Sequence, residues 1–242
     1  MNTDWNTLSE INFLLYRRMS DHLNAALVAL EPAAWPGEEI QPDRAAQSVT
    51  EALSMYTAWA NLIRHKAGET PLISGEACFD GCDLLRWVTT TLQIADLPEL
   101  PDEQTILKGN RATLQEALVS LQSCAHVLGP GVRVVVERHM RGLWFRVRYG
   151  ILGQPPTTLD ELLASLQANW RVKMAGFELS SARDFLSMNN TELFYTVRDQ
   201  RGELAFFVWF AQQPSGELSR QEQARVLLDS FNADETYQVI TD

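Results

Sequence analysis

The sequence predicts an α+β fold. A long helical hairpin comes first, then a sandwich with helices on one face of a mixed or antiparallel sheet, then an extra C-terminal helix. Three observations carry this. Residues 5–31 and 44–67 hold apolar stripes at spacings of three and four. Residues 132–149 and 191–210 each hold two β-rich runs divided by a turn. Capped amphipathic helices alternate with these strand pairs.

The first helix is read from Leu8, Ile11, Leu15, Met19, Leu23, Leu27 and Leu30, and Pro32 and Pro36 end it. The second, 44–67, takes Asp43 as N-cap and stops at Gly68. Its stripe is Val49, Ala52, Leu53, Tyr56, Trp59 or Ala60, and Ile63. Helices of about 24 residues are about 36 Å long. Two such helices cannot bury both stripes against each other. They either pair with a second copy as a four-helix bundle, which is the expectation, or pack on the rest of their own chain. Residues 69–82, with Pro71, Gly75 and Gly81, read as a linker.

Asp83–Ile94 reads as a helix, Leu97–Asp102 is interrupted by prolines, and Ile106-Leu107 is a short strand. Asn110 caps a helix running to Leu128, which Gly129-Pro130-Gly131 breaks. Val132–Glu137 and Leu143–Tyr149 form a hairpin turning at Arg141-Gly142. Thr158 and Glu161 make a capping box for the next helix, and Ser180–Met188 is helical. Thr191–Arg198 and Glu203–Phe210 form a second hairpin, turning near Gln200-Arg201-Gly202. Ser219 and Glu222 make a second capping box, opening a helix with Ala224, Leu227, Leu228 and Phe231.

Composition narrows the function. With 242 residues, 45% of them hydrophobic, the chain can build a sizeable core. A net charge of −11 argues against nucleic acid or an anionic membrane as the main partner. No apolar run approaches the roughly 20 residues that span a bilayer, and Met1–Glu10 has no signal-peptide core. Three irregularly spaced cysteines, Cys78, Cys82 and Cys124, suit a reducing compartment, so a cytoplasmic location is expected. Cys78 and Cys82 have no histidine or second cysteine pair beside them, so no metal site is expected. His65, His126 and His139 fall at helix ends or a turn and suit those places without chemistry. No P-loop, GxGxxG or Ser-His-Asp arrangement is present.

The clearest local pattern is Lys108-Gly109-Asn110 followed by Leu114, Ala117-Leu118 and Leu121. With the order of elements, it resembles the transmitter core of two-component sensor histidine kinases. That core is a dimerising helical hairpin followed by a GHKL-type ATPase domain. The resemblance implies three units: a hairpin over 1–68, an ATPase-like domain over 69–213 and a C-terminal extension over 214–242.

It also implies nucleotide-contacting motifs, and these are degenerate. The asparagine motif N-L-L-x-N-A falls on Ser120-Leu121-Gln122-Ser123-Cys124-Ala125, with Ser120 and Cys124 in place of both asparagines. A thiol is a poor ligand for Mg²⁺, which prefers oxygen. The D-x-G-x-G motif falls on Tyr149-Gly150-Ile151-Leu152-Gly153, with Tyr149 where the adenine-binding aspartate would be and Ile151 for the first glycine. A glycine-rich G-x-G-L ahead of a helix falls on Gly176-Phe177-Glu178-Leu179, and Glu178 places negative charge where phosphate would approach. The expectation is a domain that binds no ATP and needs no cofactor.

The family's phosphoacceptor motif, S-H-E-L-R-T-P-L, falls on Ser20-Asp21-His22-Leu23-Asn24-Ala25-Ala26-Leu27. The acceptor position is Asp21, and His22 comes one place later, a turn of about 100° around the helix. Two functions follow. One is a non-catalytic, dimeric signalling protein that works by contact with a response regulator or other signalling domain. The other is phosphotransfer between response regulators through His22, as in dimeric phosphotransferases that keep a degenerate ATPase-type domain.

Overall fold

Twelve elements form in this computed structural model, which describes residues 5–30, 41–69, 77–92, 94, 97–98, 100, 105–169 and 171–211. Helices α1 (Trp5–Leu30) and α2 (Pro42–Lys66) make the antiparallel hairpin. Then come β1 (Cys78–Asp80), α3 (Gly81–Leu92), β2 (Ile106–Lys108) and α4 (Arg111–Leu128). The strand pair β3 (Arg133–His139) and β4 (Gly142–Gly150) follows, then α5 (Leu159–Ala168), α6 (Lys173–Met188), β5 (Phe194–Arg198) and β6 (Arg201–Trp209). The fold is α+β, with a four-stranded antiparallel sheet in the order β3-β4-β6-β5 and a two-stranded sheet of β1 and β2. A bridge between Leu107 and Phe210 joins the two.

Several boundaries differ from the sequence expectation, each for a local reason. Proline is favoured in the first helical turn, so α2 begins at Pro42, with Gln41 in the N-cap place and Asp43 inside the first turn. Part of the expected linker 69–82 is strand: Cys78–Asp80 pairs with Ile106–Lys108 across a long separation. Helix α3 starts at Gly81, two residues before Asp83, and Gly81 lies so close to Thr105 that a Cβ would stand 2.8 Å from its backbone oxygen.

The first β-turn is Met140-Arg141, since Gly142 is already paired with His139. The second is Asp199-Gln200, both at positive φ, closing on the Arg198–Arg201 pair. Helix α6 begins at Lys173 rather than near Ser180. The expected C-terminal helix, with Ser219 and Glu222, lies outside the described residues.

Other signals act as written. The Asn110 side chain accepts the Thr113 N–H at the start of α4. Gly109 (φ +122) passes so close to Asn189 that a Cβ would lie 2.7 Å from its Oδ1. That oxygen accepts the Asn110 N–H at 2.6 Å, while Asn189 Nδ2 donates to Thr113 Oγ1 and to the Phe185 carbonyl. The start of α4 and the end of α6 are therefore tied in one knot. Thr158 accepts the Glu161 N–H, and the Glu161 carboxylate accepts the Thr157 N–H.

Three layers result. Leu143, Phe145, Val147, Leu204, Phe206 and Val208 turn one face of the sheet toward α4, α5 and α6. The hairpin packs on the far side of α4 and α6. Its contributions to the same core are Ile11, Leu14 and Leu15 from α1, and Met55, Ala58, Trp59 and Leu62 from α2.

Candidate functional site

The hairpin and the sandwich meet at a largely buried arginine, whose side chain is 11% exposed. Arg18 lies one turn beyond Leu14 and Leu15, so it extends their buried stripe and enters the space between α4 and α6. Its Nη1 donates to Glu116 Oε2 at 2.5 Å and its Nη2 to Glu178 Oε2 at 2.6 Å and Ser120 Oγ at 3.1 Å. Trp59 of α2 donates its indole N–H to the same Glu116 oxygen at 2.7 Å. The Arg18 guanidinium lies 5.7 Å from the Trp59 ring centroid, and the indole meets Phe185 edge-on at 5.2 Å. Burial works against the Arg18 charge, but Glu116 and Glu178 outweigh it and raise the guanidinium above its ordinary value. One cation and two carboxylates leave this cluster with a formal charge of −1.

Two of the degenerate positions belong to this cluster and two stand beside it. Ser120 and Glu178 bond Arg18 directly. Cys124, one turn beyond Ser120, is fully buried, and burial with the nearby Glu178 charge pushes its thiol up to about 12. Such a thiol is not a nucleophile at neutral pH. Tyr149 neighbours Cys124 at the end of β4. Its ring lies over Gly202 of β6, where a Cβ would stand 2.3 Å from the ring. Tyr149 is also hydrogen-bonded to Tyr195, which donates to the Pro156 carbonyl at 3.1 Å. Burial, then Tyr195, raises the Tyr149 phenol above its ordinary range.

The other predicted positions are placed differently. Ile151 leaves the site: its N–H donates to the Gln200 carbonyl and its side chain packs half-buried at the sheet end. Gly176-Phe177-Glu178-Leu179 is no loop before a helix but the first turns of α6, so its N–H groups are already committed within the helix. Gly176 serves packing instead, letting α6 come within 3.2 Å of Leu166 of α5 at its Cβ position. His22 is remote from the cluster. It lies half-exposed on the hairpin, with Nδ1 3.6 Å from Glu51 Oε2 across the helix pair, while Asp21 faces solvent.

Sequence reasoning missed Arg18, Glu116 and Trp59 as a unit. The available signal was an arginine at the seventh place after Ile11, on the stripe rather than off it. Among the described residues, no group of three or more His, Cys, Asp or Glu side chains could hold a metal ion. No described helix is long and apolar enough to cross a membrane.

Neither protein-family models nor curated proteins match the chain. Among solved structures, the chain is similar to the Acinetobacter baumannii histidine kinase AdeS at 11% identity and a TM-score of 0.44, covering 82% of this chain and 98% of that one. A bacterial phosphotransferase matches at 11% identity and a TM-score of 0.40, covering 84% of this chain and 96% of that one. Full-length ShkA in complex with AMPPNP matches at 14% identity and a TM-score of 0.44, covering 85% of this chain and 47% of that one.

Proposed function

We propose that this chain is a histidine-kinase-like signalling protein that binds no ATP and acts through its surfaces, as a homodimer in contact with a response regulator or another signalling domain. The observation that carries this is the filling of the space between α4 and α6. Where the resemblance calls for Mg²⁺ and phosphate, Glu116 and Glu178 are held by an arginine from the hairpin. Phosphate brought there would meet two carboxylates already paired, at a net charge of −1. Where it calls for adenine, Tyr149 occupies the ground over Gly202. The division into a hairpin over 1–68, an ATPase-like unit over 69–213 and a C-terminal extension belongs to the same proposal. Calorimetry with Mg²⁺ and ATP tests it: no heat of binding is expected, and saturable binding in the micromolar range overturns it.

Dimerisation is supported by what the hairpin leaves uncovered. Its distal half buries small side chains, Ala26, Ala45, Ser48 and Ala52, while Leu23, Leu27, Val28, Val49 and Leu53 stay exposed. An apolar face on paired helices is the usual basis of a four-helix bundle.

A second function rests on the surroundings of His22. With Glu51 beside Nδ1, the imidazole would keep its proton there and present Nε2 as the nucleophile. Phosphotransfer through His22 predicts that label from a phosphorylated response regulator reaches this protein and is lost in His22→Ala. Label that never arrives, or that survives the substitution, excludes it.

A further inference from the structure

The sheet face turned away from α4–α6 ends in arginines. Leu143, Phe145 and Val147 of β4 point toward the helices, so Trp144, Arg146 and Arg148 point away. Residues paired across neighbouring strands share a face. Arg148 is paired with Arg133 of β3 on one side and with Glu203 of β6 on the other. Two residues before Glu203 on the same face, Arg201 is paired with Arg198 of β5. Arg133, Arg148, Arg198 and Arg201 therefore form a rim at one end of this face, where β3 and β6 begin and β4 and β5 end.

Like charges directly opposite each other destabilise a strand pair. Two such pairs stand here, Arg133 with Arg148 and Arg198 with Arg201. The glutamates of this face are already committed: Glu137 and Glu203 each pair with both Arg146 and Arg148. Arg133, Arg198 and Arg201 are exposed. Asp199, in the turn between β5 and β6, adds a third acid against five arginines, which leaves an excess of positive charge in a chain of net charge −11. Charges on edge strands keep sheets from pairing with one another, and that accounts for Arg133 on β3 and Arg198 on β5. It does not account for Arg201, which lies on the inner strand β6.

We propose that this rim docks a short carboxylate-rich segment of a partner protein. Arginine suits a carboxylate because its planar fork donates two parallel hydrogen bonds to it. Three strand spacings, roughly 14 Å, separate β3 from β5. The rim therefore has the length of about four extended residues. Carboxylates at alternate positions of such a segment, about 7 Å apart, reach different arginines along it. The charge complementarity is confined to the rim. A long polyanion such as a nucleic acid would run beyond it, onto a molecule that is acidic overall, and be repelled there. The rim is separate from the α4–α6 cluster and from the open side of the hairpin, so the inference stands independently of ATP binding and of dimerisation.

Fluorescence anisotropy on the full-length protein, with a labelled peptide of six glutamates at low ionic strength, tests this. Saturable binding that weakens with added salt is expected. Arg133→Gln and Arg201→Gln together are expected to weaken it at least tenfold, while Arg44→Gln, an exposed position on the hairpin, leaves it within twofold. No binding by the parent, a loss below twofold in the double variant, or an equal loss in Arg44→Gln each overturns the proposal. A thymidine oligonucleotide with six phosphates is expected to bind at least tenfold more weakly than the peptide. Equal or tighter binding would make the rim a nucleic-acid surface and overturns the proposal as well. Because both arginines face like charges, the double variant is expected to keep or raise the thermal midpoint. A lower midpoint would mean that they serve the fold, and it too overturns the docking.

Discussion

At the scale of single residues, Arg18 has the largest predicted effect. It is the only cation bonded to Glu116 and Glu178 among the described residues. Removing it strands two buried carboxylates, and breaking a buried pair in this way costs about 3–5 kcal/mol. Arg18→Ala is therefore expected to lower stability by about that amount in chemical denaturation. Glu178→Gln keeps Glu116 as counter-ion and is expected to cost less than half as much. Equal losses for the two variants would show that the charge balance is not what matters. Cys124 supplies a second prediction, in pH. Its thiol is protonated in both states below about pH 9, and the unfolded chain ionises first as pH rises toward the folded value of about 12. The unfolded state then binds fewer protons, so stability falls across that window, by up to about 4 kcal/mol. Tyr149 has the same sign. Cys124→Ala is expected to flatten the fall, as measured by denaturation midpoints between pH 9 and 11. Both residues were visible in the sequence, yet only Cys124 was singled out. Motif comparison finds positions that ought to bind a ligand, and Arg18 belongs to none.

At the scale of elements, the strand pairs and two of the helix caps were legible because they depend on neighbours, while the turn positions were off by a residue and the cap of α2 by two. The Asn110 and Thr158 caps, the break at Gly129-Pro130-Gly131 and both strand pairs follow from local spacing. Strand β1 was not legible, because three residues carry no period and their partner β2 is distant in sequence. The early start of α6 was missed for another reason. Gly176 suggested a phosphate-binding loop, whereas its missing side chain serves the close approach of α5. Cross-strand packing gives the prediction at this scale. Gly202 of β6 pairs with Tyr149 of β4, and the ring fills the place of a side chain. Gly202→Ala is expected to cost about 1–3 kcal/mol through overpacking and to move the Tyr149 phenol off Tyr195. A lower tyrosine ionisation midpoint in the ultraviolet would report that displacement, and an unchanged one would mean the ring stays in place.

At the scale of the whole molecule, the hairpin has two apolar sides, and the sequence could not say which would be used. The stripes contain residues of both, since a helix wide enough to touch two partners shows no single narrow period. Within the chain, the side containing Ile11, Leu14, Trp59 and Leu62 is buried against α4 and α6, while Leu53 remains 63% exposed. Leu53→Asp is expected to turn a dimer into a monomer by sedimentation while leaving the thermal midpoint within a few degrees of the parent. An unaltered mass, or a monomeric parent, would remove the open side as a dimer contact. The arginine between the layers has a consequence for inheritance as well. Arg18 and Glu178 are 160 positions apart, yet the loss of Arg18 strands Glu178, whereas the loss of Glu178 leaves Arg18 paired with Glu116. Among descendants of this chain the arginine should therefore persist wherever both glutamates do. An alignment in which the arginine disappears while both glutamates persist would mean that each lineage found another cation, and that the bond between hairpin and sandwich is renewed rather than inherited.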